Sequence, residues 1–385
     1  MDKIFSFTGA RKIVFGDGAF EGLADHIGEM KGKRAFIVLD RGLSQTGFGE
    51  RIADVLRPRG VHYVIFDDME PEPALESADK GAEKAKEEGC DIVVGIGGGS
   101  AMDLAKAVAA IVTNGGRAAD YLGLNLVPGP GLPTIMVPTT AGTGSEVTFT
   151  AVFMRKEMKK KQGMNSPYLY PDLALLDPAL TVSVPPEVTA TTGIDALCHA
   201  IESYTSINST PMSEMVSLEG IALIAENLRT CVHDPGNRDA RSNQLLGSLY
   251  AGLGLANAGV TAVHSLSYPL GGSFGVPHGL ANTLLLPAVM RYNLPGALEK
   301  FADIAAAMGE VVDDYSLRDQ AEIAVDAVEM LIEDCGIDTS LADVGVAEED
   351  FPALAEAAMG VQRPLENNPR KITPVEAIQI YRESF

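Results

Sequence analysis

With 385 residues the chain is long enough for two domains that each bury a core of their own. Its 46% hydrophobic and 21% charged residues, 40 glycines and only 6% aromatics describe a folded α/β enzyme and exclude a disordered or fibrous chain. A net charge of −22 excludes nucleic acid and anionic membrane surfaces as partners, since both draw affinity from Lys and Arg neutralising phosphates.

The opening MDKIFSFTGARKIVFG has no apolar signal core and no small-residue cleavage site, so no secretory leader is expected. Strands are predicted at 35–39, 63–66, 92–95 and 134–137, alternating with helices near 48–57, 74–88 and 100–112. Such βαβα order implies a mostly parallel sheet covered by helices. Asp40 closes the strand in FIVLDRG, where a carboxylate can accept hydrogen bonds from ribose hydroxyls and repel a 2′-phosphate; the alternative is a simple turn-forming Asp. In DIVVGIGGGSAMDLAK an apolar strand runs into glycines and then a helix opened by Ser100. Glycines admit a pyrophosphate to the backbone and the helix N-terminus supplies N–H groups, although a tight strand-to-helix turn would need glycine as well. MVPTTAGTGSEVT at 136–148 offers hydroxyls and glycines suited to phosphate and nicotinamide, or an ordinary polar loop.

Near DPALTVSVPPE, where Pro178, Pro185 and Pro186 punctuate the chain, the texture changes, and everything beyond reads as helix. The fold class expected is therefore a Rossmann-like parallel-sheet domain over 1–180 followed by an all-helical domain over 181–385. GIDALCHAIESY places Asp195 and His199 at i and i+4 on one helix face. A stretch from Ser242 to Met290 carries no Lys, Arg, Asp or Glu; its polar residues, glycines and prolines, without a flanking basic cluster, mark a buried helix rather than a membrane span. His264 and His278 fall in this stretch, where a buried imidazole needs a partner. Three imidazoles and one carboxylate suit Fe(II) or Zn(II). His26, His62 and His233 lie in charged or turn-like surroundings and are expected to be exposed. Cys90, Cys198, Cys231 and Cys335 are scattered and read as reduced thiols of a cytoplasmic protein.

RKIVFGDGAFEGL, GIGGGSAMDLAKA, VPTTAGTGSEVT, PDLALLDPALTVSVPP, TGIDALCHAIESYTS and HSLSYPLGGSFGVPHGLANTLLLP together resemble the iron-containing (group III) alcohol dehydrogenases nearly end to end. The resemblance implies an N-terminal dinucleotide-binding domain, a C-terminal helical metal domain and an active site between them. It implies hydride transfer between a short-chain primary alcohol or diol, or the corresponding aldehyde, and NAD(P), with NAD favoured over NADP. Carried over by position, the metal ligands are Asp195, His199, His264 and His278; Asp40, Gly98, Gly99, Ser100, Asp103, Thr139, Thr140, Thr148 and Lys161 fall where the family contacts its dinucleotide, with Lys159 and Lys160 as alternatives to Lys161. Homodimers are common in the family. Many members carry a further histidine four residues after the third ligand, often assigned to proton relay, where this chain has Tyr268. A phenol titrates near pH ~10 and an imidazole near neutrality, which leaves Tyr268 a pocket-shaping role. The rival readings are a zinc enzyme like glycerol dehydrogenase or dehydroquinate synthase, and a non-catalytic metal- or nucleotide-binding protein.

Overall fold

The computed structural model describes residues 4–70, 72–155, 157 and 160–385, without the side chain of Lys160. The chain forms two compact units. One, the α/β unit, holds Gly9–Thr140 and Ser145–Thr181; the other, the helical unit, holds Val182–Phe385 together with residues 4–8 and Ala141–Gly144. Two short segments of the first half thus group with the helices rather than with the sheet.

The α/β unit contains strands β1 (Lys12–Phe15), β2 (Arg34–Leu39), β3 (His62–Phe66), β4 (Ile92–Gly97), β5 (Gly123–Leu124), β6 (Thr134–Pro138), β7 (Thr150–Arg155), β8 (Lys160–Asn165) and β9 (Leu173–Leu176). Six of them form a sheet in the order β1-β9-β6-β4-β2-β3, every pairing parallel. Val38 pairs with Gly95 on one side and Phe66 on the other, which fixes the register at the sheet's centre. Helices α1 (Leu23–Glu29), α2 (Arg41–Gln45), α3 (Phe48–Leu56), α4 (Leu75–Glu87) and α5 (Gly99–Asn114) connect the strands.

Both faces of this sheet are dry. Phe36, Val38, Val93 and Met136 pack with apolar residues of α4 and α5; Ala35, Ile37, Leu39, Val94 and Ile96 pack on the opposite face with those of α1 and α3. That two-sided burial is why FIVL and IVVGI read as continuous apolar runs instead of alternating ones. Between β2 and β4 the chain reverses its direction of travel across the sheet, and α/β folds bind ligands beyond the strand C-termini at such a switch point.

Other strands carry no such signature. β9 is LALL, made of good helix formers, and is held extended by pairing with β1 and β6. β8 is KKQGMN, without a β-branched residue; it pairs with β5 and antiparallel with β7 in a second, three-stranded sheet.

The helical unit runs through α6 (Pro186–Thr205), α7 (Pro211–His233), α8 (Arg238–Ala258), α9 (Ala262–Phe274), α10 (His278–Asn293), α11 (Leu298–Ala307), α12 (Leu317–Asp334), α13 (Phe351–Met359), α14 (Gln362–Asn367) and α15 (Pro374–Glu383). Pro186 opens α6 at its first turn, where a missing N–H removes no helical bond. Thr210 caps α7 by accepting from Ser213 N–H, and Asn237 caps α8 by accepting from Ala240 N–H. α6 is buried along its second half, with Ile194, Leu197 and Ile201 in a core shared with α7, α9, α10 and α12. Residues 4–8 are tied to α8 by a reciprocal pair: Thr8 N–H donates to Asn257 Oδ1, and Asn257 Nδ2 donates to the Thr8 carbonyl. Among the described residues no single helix is long and apolar enough to cross a membrane; α8 and α9 pass that test only as a pair bent by 103°. All four cysteines are free and buried.

Candidate active site

The C-terminal ends of β2, β4 and β6 bring six of the nine carried-over nucleotide residues together. Asp40 N–H donates to the Ile96 carbonyl and Thr139 N–H to the Gly97 carbonyl, so the loops after the three strands lie side by side. Gly97 has φ +149, and a Cβ there would stand 2.7 Å from Asp40 Cβ and 2.8 Å from Ala101 Cβ, so only glycine fits. Gly98 lies against Thr140, whose hydroxyl would be 3.4 Å from an added Cβ. Gly99 and Ser100 begin α5, aiming its unpaired N–H groups at this edge. Asp40 is also a helix cap: its Oδ1 accepts from Gly42 and Leu43 N–H at 2.8 and 3.4 Å. The turn role and the strand-end position therefore coexist in one residue.

The other three face inward. Asp103 accepts from the Ser145 hydroxyl at 2.6 Å and Val152 N–H at 2.8 Å, and lies 3.8 Å from Lys106 Nζ. Lys106 donates to the Ser145 and Thr148 hydroxyls and the Thr150 carbonyl, so the Thr148 hydroxyl is engaged from inside the unit. Lys161 pairs with Glu72 at 2.6 Å, and Glu72 N–H donates to the Ser100 hydroxyl. Lys159 and the Lys160 side chain lie outside the described residues. Lys106 is one residue that sequence reasoning passed over: it is buried, and burial pulls its ammonium down to about 8 against the pull of Asp103 and Glu146. Glu146, also buried, is pushed up to about 7 by desolvation, and its Oε1 has no hydrogen-bond partner in the protein.

In the helical unit, α6, α9 and α10 bring together Asp195, His199, His264 and His278, whose ligand atoms all lie within 4.8 Å of one another. Asp195 Oδ1 is 3.9 Å from Nε2 of both His199 and His278, and Nε2 of His199 is 3.1 Å from Nε2 of His264. Ligand bonds of about 2.0–2.2 Å around a tetrahedral ion place donor atoms about 3.3–3.6 Å apart, so the cluster has the span of one ion.

The tautomers make the case sharper. His199 Nδ1 lies 3.3 Å from the Gly142 carbonyl, which can only accept, so the ring proton sits on Nδ1. His264 Nδ1 is hydrogen-bonded to the Glu202 carboxylate, with the same consequence. Both Nε2 atoms then turn lone pairs toward each other, an arrangement a cation satisfies. Burial lowers the pKa of His199 more than Asp195 raises it, which favours the neutral, ligating imidazole. Burial pushes Asp195 up, but the three imidazoles and Asn282 together bring it below the usual carboxylate range. Two buried carboxylates, Asp195 and Glu202, balance one divalent charge, and among the described residues neither pairs with Lys or Arg.

The segment Ala141–Gly144 supplies the Gly142 carbonyl. Gly144 has φ +61, and a Cβ there would lie 2.5 Å from Gly252 Cα on α8, so the segment packs against the helices only as glycine allows. The side chain of His278 is 30% exposed while Asp195, His199 and His264 are nearly sealed, so the centre opens on the His278 side. Tyr268 stands there, its ring 5.9 Å from that of His278 and 6.3 Å from that of His264. Of the remaining histidines, His62 and His233 are exposed and His26 is half-buried against Glu29.

Comparison with known proteins extends this geometry to the whole chain. Residues 10–178 match the model of the iron-containing alcohol dehydrogenases, and residues 189–385 match that of the C-terminal part of the same family. The chain belongs to the iron-containing alcohol dehydrogenase family. It is 38% identical over 385 residues to 1,3-propanediol dehydrogenase of Citrobacter freundii, covering 100% of this chain and 99% of that one. It is 38% identical to long-chain-alcohol dehydrogenase 1 of Geobacillus thermodenitrificans, over 96% of this chain and 94% of the relative. A crystal structure of 1,3-propanediol oxidoreductase superposes with a TM-score of 0.97 at 38% identity, covering 100% of both chains. This member is an oxidoreductase acting on CH–OH groups, an alcohol or diol dehydrogenase, and its family's cofactors are Fe(II) and NAD. The family match and the parallel-sheet and helical units agree with the expected fold class.

Two side chains of this centre were not singled out from the sequence, and both carry a signal. Glu202 lies three residues after His199, on the same face of α6 as Asp195, and Asn282 lies one turn after His278 on α10.

Proposed function

We propose that this alcohol dehydrogenase interconverts a short-chain primary alcohol or diol with its aldehyde, using NAD, with Asp195, His199, His264 and His278 holding the divalent ion. The observation that carries the reading is the pair of lone-pair-bearing Nε2 atoms of His199 and His264, 3.1 Å apart beside Asp195. A bound ion supplies Lewis acidity toward the alcohol or aldehyde oxygen, and the nicotinamide supplies the hydride site. Asp195 contributes the negative charge that suits a dication, and the buried imidazoles exclude water from the closed side of the centre. Tyr268 and His278 border the open side, where Tyr268 shapes the approach of the substrate.

At the nucleotide edge, Gly98, Gly99 and Ser100 would cradle the pyrophosphate on the N-terminus of α5, with Thr139 and Thr140 beside it. Asp40 would accept from the adenosine ribose and disfavour NADP. Asp103, Thr148 and Lys161 would support this edge from beneath, through Ser145, Lys106 and Glu72. The same reading makes the protein a cytoplasmic homodimer, consistent with its four unpaired, buried thiols; light scattering on the full chain tests the dimer.

The test of function is a panel of short primary alcohols, diols and aldehydes with NAD or NADH, on protein loaded separately with Fe(II) and Zn(II), read by nicotinamide absorbance. Turnover is expected on primary alcohols or diols and only with metal present. Silence on the whole panel with both metals, or equal turnover after complete metal removal, would overturn the reading.

A further inference from the structure

Each ligand of the metal centre meets the ion with only one edge, and what holds the opposite edge decides whether it stays aimed. For His264 that holder is Glu202. The Glu202 side chain is 2% exposed, yet both of its oxygens are satisfied: Oε1 accepts from the Thr261 hydroxyl at 2.9 Å and Val263 N–H at 2.8 Å, and Oε2 is bonded to His264 Nδ1, with Cys198 Sγ at 3.7 Å. Thr261 and Val263 flank the start of α9, so the carboxylate from α6 grips the very turn that carries His264.

For Asp195 the holder is Asn282. Its Nδ2 donates to Asp195 Oδ1 at 2.7 Å and stands 3.2 and 3.3 Å from Nε2 of His264 and His278. Turning the amide over would put its oxygen against a carboxylate oxygen and a lone pair of His264, so the donor end is the one chemistry places there. Asn282 Oδ1 is buried without a hydrogen-bond partner, so the side chain keeps this orientation at the expense of its own acceptor.

We propose that Glu202 and Asn282 are positioning residues of the metal centre, Glu202 fixing His264 with Nε2 toward the ion and Asn282 fixing the Asp195 carboxylate. The inference rests on the reading of these four side chains as metal ligands. It makes a specific statement about Glu202→Gln, which keeps the shape but not the chemistry. With its oxygen still serving Thr261 and Val263, the Gln amide turns N–H groups toward His264 Nδ1. That nitrogen must then accept, the ring proton moves to Nε2, and Nε2 no longer has a lone pair for a metal. With the amide reversed, its nitrogen meets the Val263 N–H and the grip on α9 is lost.

The experiment is a titration of the metal-stripped full chain with Zn(II) alone, by calorimetry or chelator competition, for the parent, Glu202→Gln, Asn282→Leu and His199→Ala. Outer partners of ligands are worth about 10–100-fold in metal affinity, and a loss of that size is expected for Glu202→Gln and for Asn282→Leu. NADH binding and the melting temperature in chelator should stay near the parent values, and the visible spectrum of Co(II)-loaded Glu202→Gln should differ from the parent. If the parent binds Zn(II) and His199→Ala does not, while both variants bind within about threefold of the parent, the positioning roles fail and the metal centre stands. If the parent itself binds no metal, the underlying reading fails instead. Should Glu202→Gln not fold, Asn282→Leu and Thr261→Val, which removes one donor to Glu202, test the same claim.

Discussion

The Asp195–His199–His264–His278 centre and the glycine-rich edge proposed for the nucleotide are built from different materials. At the centre, four side chains from three helices converge, and three of them have a side-chain or carbonyl partner named above: Gly142 behind His199, Glu202 behind His264, Asn282 beside Asp195. At the edge, the surface on offer is mostly backbone, the glycine turn after β4 and the first turn of α5. Its side chains work underneath, where Asp103 and Lys106 bind α5 to the segment from Ser145 to Val152. A site made of side chains should fail through a single substitution at its face, and a site made of backbone should fail through its support.

The largest effect expected separates the two. His199→Ala removes one of the four converging side chains of the centre, together with its bond to the Gly142 carbonyl. Metal-ion catalysis is worth several kcal/mol, so turnover should fall about 10^3-fold or more, with bound metal lost by elemental analysis. NADH binding, followed by fluorescence, should be unchanged; loss of nucleotide affinity as well would break the separation.

Next in size is the support beneath the edge. Lys106→Met leaves the buried carboxylates of Asp103 and Glu146 without their cation, and stranding one partner of a buried pair costs about 3–5 kcal/mol. Urea unfolding should show most of that loss, and a change under about 1 kcal/mol would mean the cluster is already neutral. Its pH dependence sharpens the point. Desolvation raises Glu146 from 4.5 to about 7, so the folded state holds a proton that the unfolded chain releases. The resulting stability is full below pH 4.5 and is lost as pH rises through 7. Glu146→Gln removes that loss: its unfolding free energy in urea should gain on the parent between those two values and hold the gain above them, by about 1–3 kcal/mol at the plateau. A constant difference across the range would place the charge elsewhere.

The same contrast governs what the sequence disclosed. The four side chains that converge at the centre were legible because Asp195 and His199 share a helix face and His264 and His278 stand in an uncharged stretch, where histidine has few other uses. The strands β2 and β4 were legible from apolar runs, whereas LALL in β9 and KKQGMN in β8 were not, since only pairing partners hold them extended. Glu202 and Asn282 escaped notice because a polar residue one turn from a ligand looks like any solvated helix position until its burial is known. Lys106 was hidden for the same reason, in a helix whose alanines gave no hint that a lysine would be sealed inside. In the other direction, nothing in a linear motif shows that the Thr148 hydroxyl is taken by Lys106 while Thr139 and Thr140 follow β6 beside the glycine turn.

The smallest effect tests the one side chain at the edge with both an outward and an inward duty. Asp40 caps α2 through Oδ1 and ends β2 at the switch point. Removing the side chain altogether would confuse the two, since losing a cap costs about 0.5–2 kcal/mol by itself. Asn caps helices about as well as Asp, so Asp40→Asn leaves the turn in place and deletes only the charge. If that charge is what disfavours a 2′-phosphate, the ratio of kcat/KM for NAD over NADP should fall about tenfold, equivalent to ~1.4 kcal/mol of removed repulsion, with stability unchanged. An unaltered ratio would assign Asp40 to the cap alone, and the nucleotide edge would then carry no discriminating side chain from β2.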